Sequence, residues 1–175
     1  HVISEALGPK HRLLELVSWP DSNARQVLRE WLLSLPETDR PELICQLLPT
    51  SPLRTLRHVV EARLLLVEEV DVVISVTPFR QDVRGAVTPG SEGLERLDWQ
   101  VKLPAGQFLK HGGCVIWSRT SYVLSAEFEE SGWYPRRTVP YHVPPEDSWD
   151  VDSELDLYFA ECLLRRGEER NSSAS

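Results

Sequence analysis

The chain has 175 residues, of which 41% are hydrophobic and 26% charged, a composition typical of a globular protein rather than a disordered or fibrous one. The net charge is −8 and the arginines are dispersed, which argues against nucleic-acid binding. No apolar run reaches the roughly 18 residues of a membrane span, no signal peptide is visible, and three scattered cysteines form no disulfide framework. We therefore expect an intracellular protein without membrane contact.

Residues 1–69 are predicted to be a helical region, a bundle of four short helices separated by prolines. The helices are bounded by Pro9 and Pro20, by Asp21 and Pro36, by Asp39 and Pro49, and by Ser51 and about Val67. Apolar residues recur in them with a helical period. The stripes expected to face the core are Val27, Leu28, Trp31 and Leu35 in the second helix, Leu43, Ile44, Leu47 and Leu48 in the third, and Leu53, Leu56, Val60 and Leu64 in the fourth.

Part of this region resembles an F-box. The matching elements are Leu35-Pro36, Glu42-Leu43-Ile44, Leu47-Leu48-Pro49 and the run Leu53–Val60. The Leu-Pro and Glu-Leu elements stand farther apart than in the F-box pattern, and Arg63-Leu64 replace its usual tryptophan. The resemblance implies a helical module that joins a ubiquitin-ligase scaffold while the rest of the chain binds substrate. A substrate adaptor of a ubiquitin ligase is therefore one alternative function.

Residues 70–166 are predicted to form a small, mostly antiparallel sheet closed by a C-terminal helix. We expect this part to form one compact α+β unit with the N-terminal helices. The β-branched run Val72–Thr77 indicates a strand, as do Cys114–Ser118 and Thr120–Phe128. Leu97–Leu103 alternates, which predicts Trp99 and Val101 buried and Gln100 and Lys102 exposed. The prolines of Tyr134–Val143 confine that segment to an edge strand or an extended conformation.

Most of the net negative charge lies near the C-terminus, where residues 146–161 contain seven acidic residues and no basic ones. A helix is expected to begin near Asp152 or Ser153, because acidic residues favour the first turn and Arg165 and Arg166 favour the last. Gly167 is its predicted C-cap, and residues 167–175 are predicted to be a disordered tail. The helix carries one apolar stripe: Leu155, Tyr158, Phe159, Cys162 and Leu163.

Candidate chemistry is sparse. His and Cys residues lack metal-ligand spacing, and the chain has no phosphate-binding glycine motif, so we expect no metal and no cofactor. The glycine turn His111-Gly-Gly-Cys114 places a thiol where His142 is a candidate base, which makes a cysteine-dependent enzyme one alternative. The apolar residues after Cys114 favour a buried strand cysteine instead.

The composition and motifs favour a non-catalytic protein–protein interaction domain, a scaffold or adaptor within a larger complex. The expected partner is another protein with a basic surface. It is expected to contact the tryptophans that flank the proline-rich segment and the acidic lead-in to the last helix, which comprises Glu146, Asp147 and Asp150. That lead-in is expected to contact basic groups of a partner or the protein's own arginine-bearing loops. The predicted partner-binding residues are Trp133, Tyr134, Glu146, Asp147, Trp149 and Asp150.

Overall fold

The structure is a computed structural model that describes residues 23–79, 87–90, 93–96 and 109–173, with the backbone alone for 87–90, 93–96 and 168–173. The described part is a mixed α+β fold. Its helices are α1 (Ala24–Ser34), α2 (Leu56–Leu64), α3 (Thr120–Val123), α4 (Ala126–Ser131) and α5 (Glu154–Ser173), with a 3-10 helix at Glu37–Asp39. Its strands are β1 (Leu43–Gln46), β2 (Val72–Pro78), β3 (Val87–Gly90), β4 (Gly93–Arg96), β5 (Leu109–Arg119) and β6 (Thr138–His142).

Four strands form a mixed sheet in the order β1-β5-β2-β6. The strand β5 is antiparallel to both of its neighbours, whereas β6 is parallel to β2, and β3 and β4 form a separate antiparallel pair. The register between β2 and β5 shifts within the sheet, because Ile74 pairs with Ile116 whereas Val76 pairs with His111. Residues 112–115 therefore form a bulge opposite Ser75.

The sheet carries helices on both faces, and each face has its own apolar core. On one face, α1 contributes Leu28 and Leu32, which pack with residues of β2, β5, α3 and α4. On the other, α2 contributes Val59 and Ala62, which pack with the opposite side of β2 and β5. The alternation of side chains along a strand explains this division, since Val72 and Ile74 belong to the first core and Val73 to the second.

Several predictions from the sequence are confirmed. Helix α1 matches the second predicted helix, and the Asn23 side chain caps it by accepting the Arg25 N–H at 3.0 Å. Strands form at β2 and over Cys114–Ser118, and β6 is an edge strand. Helix α5 begins where expected, and the Ser153 hydroxyl accepts the Asp156 N–H at 3.3 Å.

The predicted bundle of four N-terminal helices is wrong for the described residues. Residues 23–69 contain two α-helices, and the predicted third helix is replaced by the 3-10 helix and by β1. The apolar run starting at Leu43 pairs with β5 from Ile116 to Arg119, and this pairing satisfies its backbone groups. The helical structure that the F-box resemblance implies is therefore absent at Leu43–Gln46. The first predicted helix lies outside the described residues, as does the strand Leu97–Leu103 with Trp99, Val101, Gln100 and Lys102.

The strand predicted over Thr120–Phe128 is also wrong, because the segment folds into α3 and α4. Tyr122 and Phe128 of this segment nevertheless share a core, since their rings meet edge to face with centroids 5.5 Å apart. The Tyr122 hydroxyl donates to the Gly132 carbonyl at 2.6 Å, which ties the end of α4 to α3. The two short helices therefore bring both rings into one core, as one face of a strand would also have done.

The C-terminal helix is longer than predicted. Helix α5 continues through Gly167, the expected C-cap, and reaches Ser173, so its last residues lie in the segment predicted to be a disordered tail. Most of the apolar stripe predicted for this helix is exposed, although Leu163 is half-buried. Among the α5 side chains that the structure describes, Ala160 alone is fully buried.

Candidate functional site

The bulge of β5 is the centre of a buried polar cluster. Gly113 has a φ of +65°, and a Cβ at this position would approach the Ser51 hydroxyl oxygen to 3.0 Å. The Ser51 hydroxyl donates to the Gly113 carbonyl at 2.9 Å, and the Val115 N–H donates to the Ser75 hydroxyl at 3.0 Å. These bonds replace the regular ladder, which the bulge interrupts, and they require glycine at 113.

His58 on α2 reaches into this cluster. The Thr55 N–H donates to His58 Nδ1 at 3.2 Å, so Nδ1 is the unprotonated nitrogen of the neutral ring and Nε2 carries the hydrogen. Nε2 lies 3.4 Å from a carboxylate oxygen of Asp147, longer than a good hydrogen bond but close enough for electrostatic attraction. The Cys114 Sγ lies 3.6 Å from Nδ1. A thiol, an imidazole and a carboxylate therefore follow one another in the order found around activated cysteines.

Burial determines the protonation states in the cluster. Burial raises the pKa of Cys114 to about 11, although the positive charge of Arg54 opposes the shift. Burial also lowers the pKa of His58, and the charge of Asp147 opposes this shift. A protonated thiol beside a neutral imidazole is a poor nucleophile, because the thiolate is the reactive form. Cys114 is fully buried, so a substrate has no access to its sulfur in this conformation.

A second histidine repeats the pattern beside the bulge. Burial lowers the pKa of His111, and the negative charge of Asp150 opposes the shift. Asp150 also approaches the bulge itself, with its carboxyl carbon 3.9 Å from the position of a Cβ on Gly113. Asp147 and Asp150 thus hold the lead-in of α5 against two histidines, of which His58 is buried and His111 half-buried. The backbone adds a further attachment, since the Val151 N–H donates to the Thr50 carbonyl at 2.9 Å.

The residues predicted to bind a partner divide into inward and outward groups. Trp133 is half-buried against the core, with its ring 5.0 Å from that of Phe128, whereas Tyr134 is exposed. Glu146 is exposed, but Asp147 and Asp150 face the polar cluster. Trp149 is half-buried, and its ring lies 5.4 Å from that of Phe159 on α5. The structure therefore joins Asp147, Trp149 and Asp150 to the base of α5 and places Trp133 in the core beside α4.

The histidine beside Cys114 is one that sequence reasoning missed. The predicted base, His142, is exposed on β6, whereas the observed neighbour of the thiol is His58. The signal for His58 was its position three residues after the N-cap Thr55, where a side chain reaches back to the cap N–H. The usual capping box has Glu or Gln there, so a histidine did not stand out.

Two helices leave large apolar side chains in solvent. On α5 they are Leu155, Leu157, Tyr158, Phe159 and Leu164, of which Leu155 and Tyr158 are 63% and 62% exposed. On α2 they are Leu56, Val60 and Leu64, and Leu64 is 72% exposed. Single exposed apolar residues are common on proteins, but contiguous ones mark interaction surfaces.

Within the described ranges, no group of three or more His, Cys, Asp or Glu side chains is arranged to hold a metal ion. No helix among the residues described is long and apolar enough to cross a membrane. No protein-family model and no curated protein matches this chain. The geometry of the polar cluster and of the two helix faces therefore carries the functional argument.

Proposed function

We propose that this chain is a non-catalytic protein-interaction domain, and that α5 is the element that docks onto a partner protein. The observation that carries the proposal is the exposure of the five large apolar residues of α5 while its lead-in is firmly attached. A helix gains most of its stability from burying an apolar face, and α5 buries little of its own. A partner with an apolar groove supplies the missing burial.

The charge of the segment indicates the chemistry of that groove. Asp152, Glu154 and Glu161 are exposed beside the apolar residues of α5. Exposed ion pairs contribute about 0–1 kcal/mol each, so these carboxylates act mainly on the rate and specificity of association. A groove bordered by Lys or Arg side chains fits this arrangement best. Amphipathic helices that lie in such grooves are a recurrent mode of recognition.

The polar cluster has a supporting role in this proposal. Asp147 contacts His58, and Trp149 packs on Phe159, so the first turn of α5 starts from a fixed position. Fixing one end of a docking helix lowers the entropy lost on binding, because fewer orientations have to be sampled. Asp147 and Asp150 were predicted to contact a partner's basic surface. In this proposal they instead help to hold α5, the helix that contacts the partner.

The proposal is tested by comparing α5 variants in a capture experiment with cell lysate. The α5 variant is the whole chain with Leu155→Asp and Tyr158→Asp, which alter the docking face. The control variant is the whole chain with Leu33→Asp, which alters a similarly exposed leucine on α1. We expect the parent and the Leu33 variant to retain the same proteins from the lysate and the α5 variant to lose them. Added salt should release these proteins from the parent. Retention of the same proteins by all three chains contradicts the proposal.

A second candidate function is favoured by one observation. The Cys114 sulfur lies 3.6 Å from His58, and His58 in turn faces Asp147, which is the order of groups in cysteine-dependent catalysis. This candidate needs a conformation in which the lead-in of α5 moves away and Cys114 meets solvent. Labelling of the thiol, described below, decides between the two candidates.

A further inference from the structure

We propose that the surface onto which α5 docks is the outer face of α2 on a second copy of this chain. This inference rests on the proposed function and names its partner. It joins the two contiguous apolar helix faces that the described structure leaves in solvent, and the two faces have opposite charged borders.

The outer face of α2 is an apolar ridge on a fixed support. Leu56, Val60 and Leu64 follow one another at intervals of four residues, so their side chains lie in one row along the helix. The opposite side of the helix is held by His58, Val59 and Ala62, which are buried against the sheet. The ridge therefore cannot turn inward without dismantling the second core.

Arginines border this ridge. At 100° per residue, Arg57 and Arg63 fall on the two sides of the row formed by Leu56, Val60 and Leu64. Both arginines are exposed. The Arg63 guanidinium lies over the Trp117 ring, 5.9 Å from its centroid, which keeps its charge next to the ridge. The face thus has the chemistry inferred for the partner of α5, an apolar surface with basic edges.

The matching face of α5 has one acidic edge. Leu155, Tyr158 and Cys162 follow one another at helical intervals and are exposed. Glu154 and Glu161 lie seven residues apart along one side of this row, where Glu161 also forms an exposed ion pair with Arg165 at 3.4 Å. Ridges of this kind pack into the grooves of a second helix, with the carboxylates brought toward the arginines.

A second copy, rather than the same chain, is the occupant because both faces are exposed in one molecule. Within the described residues, α2 does not cover the α5 row and α5 does not cover the α2 row. In a two-fold symmetric pair, α5 of each copy meets α2 of the other, so the contact occurs twice. Doubling a modest helix contact makes the association of the pair far stronger than one contact alone.

The test is the molar mass of the whole chain in solution, measured by sedimentation at increasing concentration. We expect a mass of twice 20.0 kDa for the parent. Val60→Glu with Leu64→Glu on α2, or Leu155→Asp with Tyr158→Asp on α5, should each raise the dissociation constant at least about tenfold. Leu33→Asp serves as the control and should leave the dimer intact. Circular dichroism of each variant confirms that the fold is retained.

Charge reversal tests the pairing itself. Arg57→Glu with Arg63→Glu, or Glu154→Arg with Glu161→Arg, should each weaken the dimer at low salt. All four substitutions in one chain should restore it, because both borders are then reversed. Failure of the combined variant to recover association, when each half weakens it, overturns the proposed contact.

The outcomes separate this inference from the proposed function. A parent chain that stays monomeric overturns the self-association. If that monomer still captures other proteins through α5, the proposed function stands. If it captures none, both fail. A dimer that the α2 and α5 variants leave unchanged overturns the inference, because it assembles through another surface.

Discussion

Helices α2 and α5 both carry apolar residues around most of their circumference, yet they differ in what they bury. Helix α2 packs Val59 and Ala62 against the sheet and leaves a row of larger residues outside. Helix α5 buries Ala160 and leaves most of its large apolar residues outside. The buried apolar positions of the two helices are Val59, Ala62 and Ala160, whereas every leucine except the half-buried Leu163 is exposed. The spacing of apolar residues in a sequence therefore identifies the rows of apolar side chains on a helix. It does not show which of these rows is buried in the folded protein.

The largest expected difference is between the reactivity of Cys114, on β5 beneath α2, and that of Cys162 on α5. Cys114 is buried beneath α2 beside His58, and its pKa is raised to about 11, whereas Cys162 is exposed on α5. A maleimide at pH 7.5 should modify Cys162 at least about 100-fold faster than Cys114, since the buried thiol is both protonated and covered. Peptide mapping by mass spectrometry measures the two rates.

Rapid labelling of Cys114 in the folded chain contradicts its structural role and favours the catalytic alternative. A Cys162→Ser variant serves as the control, because it removes the fast site and leaves any reaction of Cys114 visible. Addition of 6 M guanidinium chloride should abolish the difference, since both thiols are then exposed.

Adjacent valines on α2 offer a matched pair for stability. Val59 is fully buried and Val60 is exposed, so the two substitutions remove the same atoms from opposite sides of the helix. Val59→Ala should lower the free energy of unfolding by about 1.5–3 kcal/mol, through lost burial and a residual cavity. Val60→Ala should change it by less than about 0.5 kcal/mol.

Urea unfolding at low protein concentration measures both values without interference from association. Equal losses for the two variants would mean that α2 is turned differently on the sheet. A larger loss for Val60→Ala would reverse the assignment of its inner and outer faces.

The polar cluster beneath α2 predicts that the stability of the fold depends on pH. His58 faces Asp147 and Cys114, with Arg57 and Glu61 nearby, and burial lowers the pKa of His58 below its ordinary 6.5. The unfolded chain therefore binds more protons below pH 6.5, and the stability of the fold should decrease as the pH falls through that value. Each such histidine contributes at most about 1.4 kcal/mol per pH unit. His111 acts in the same direction.

Unfolding by urea at pH 7.5 and pH 5.5 measures this dependence. The substitution His58→Gln should reduce it, although the variant is less stable at both values. His142→Gln, which alters an exposed histidine, should leave the dependence unchanged. A fold that gains stability on acidification would show that the carboxylates, and not burial, dominate the titration of these histidines.

The smallest expected change in the free energy of unfolding is that for an exposed aromatic residue on α5. Tyr158→Ala removes an exposed ring and should change the free energy of unfolding by less than about 0.5 kcal/mol in the monomer. The same change should weaken association with the partner, because aromatic residues dominate the energy of interfaces. Unfolding measured beside sedimentation separates the two effects. A large loss of stability in the monomer would indicate that Tyr158 packs on the chain's own body.

Some of this fold could be predicted from local patterns alone. Helix α1 has an N-cap, a terminating proline and apolar residues with one period, and strand β2 is a β-branched run. Pro140 confined its segment to the edge of the sheet, and Ser153 marked the start of α5. Each of these elements is specified by residues within its own segment, so no knowledge of distant contacts was required.

The errors occurred where distant contacts decide the structure. The run from Leu43 to Leu48 fits a helical period, but its pairing with β5 makes Leu43–Gln46 a strand. Tyr122 and Phe128 alternate like strand residues, yet they meet across α3 and α4. The cluster of Cys114 with His58 joins residues 56 positions apart. Neither spacing nor composition indicates such a contact, because the β5 bulge creates it.

The position of Pro140 has a consequence for how this molecule meets extended chains. The Arg137 carbonyl accepts the Val72 N–H and the Val143 N–H donates to the Val76 carbonyl, so the alternate residue Pro140 points its backbone toward the outer edge of the sheet. That edge lacks a donor in the middle of a five-residue strand. The opposite edge, β1, has four residues. Both borders are poor templates for an added strand, which protects the sheet from aggregation and disfavours peptides that bind as β-strands.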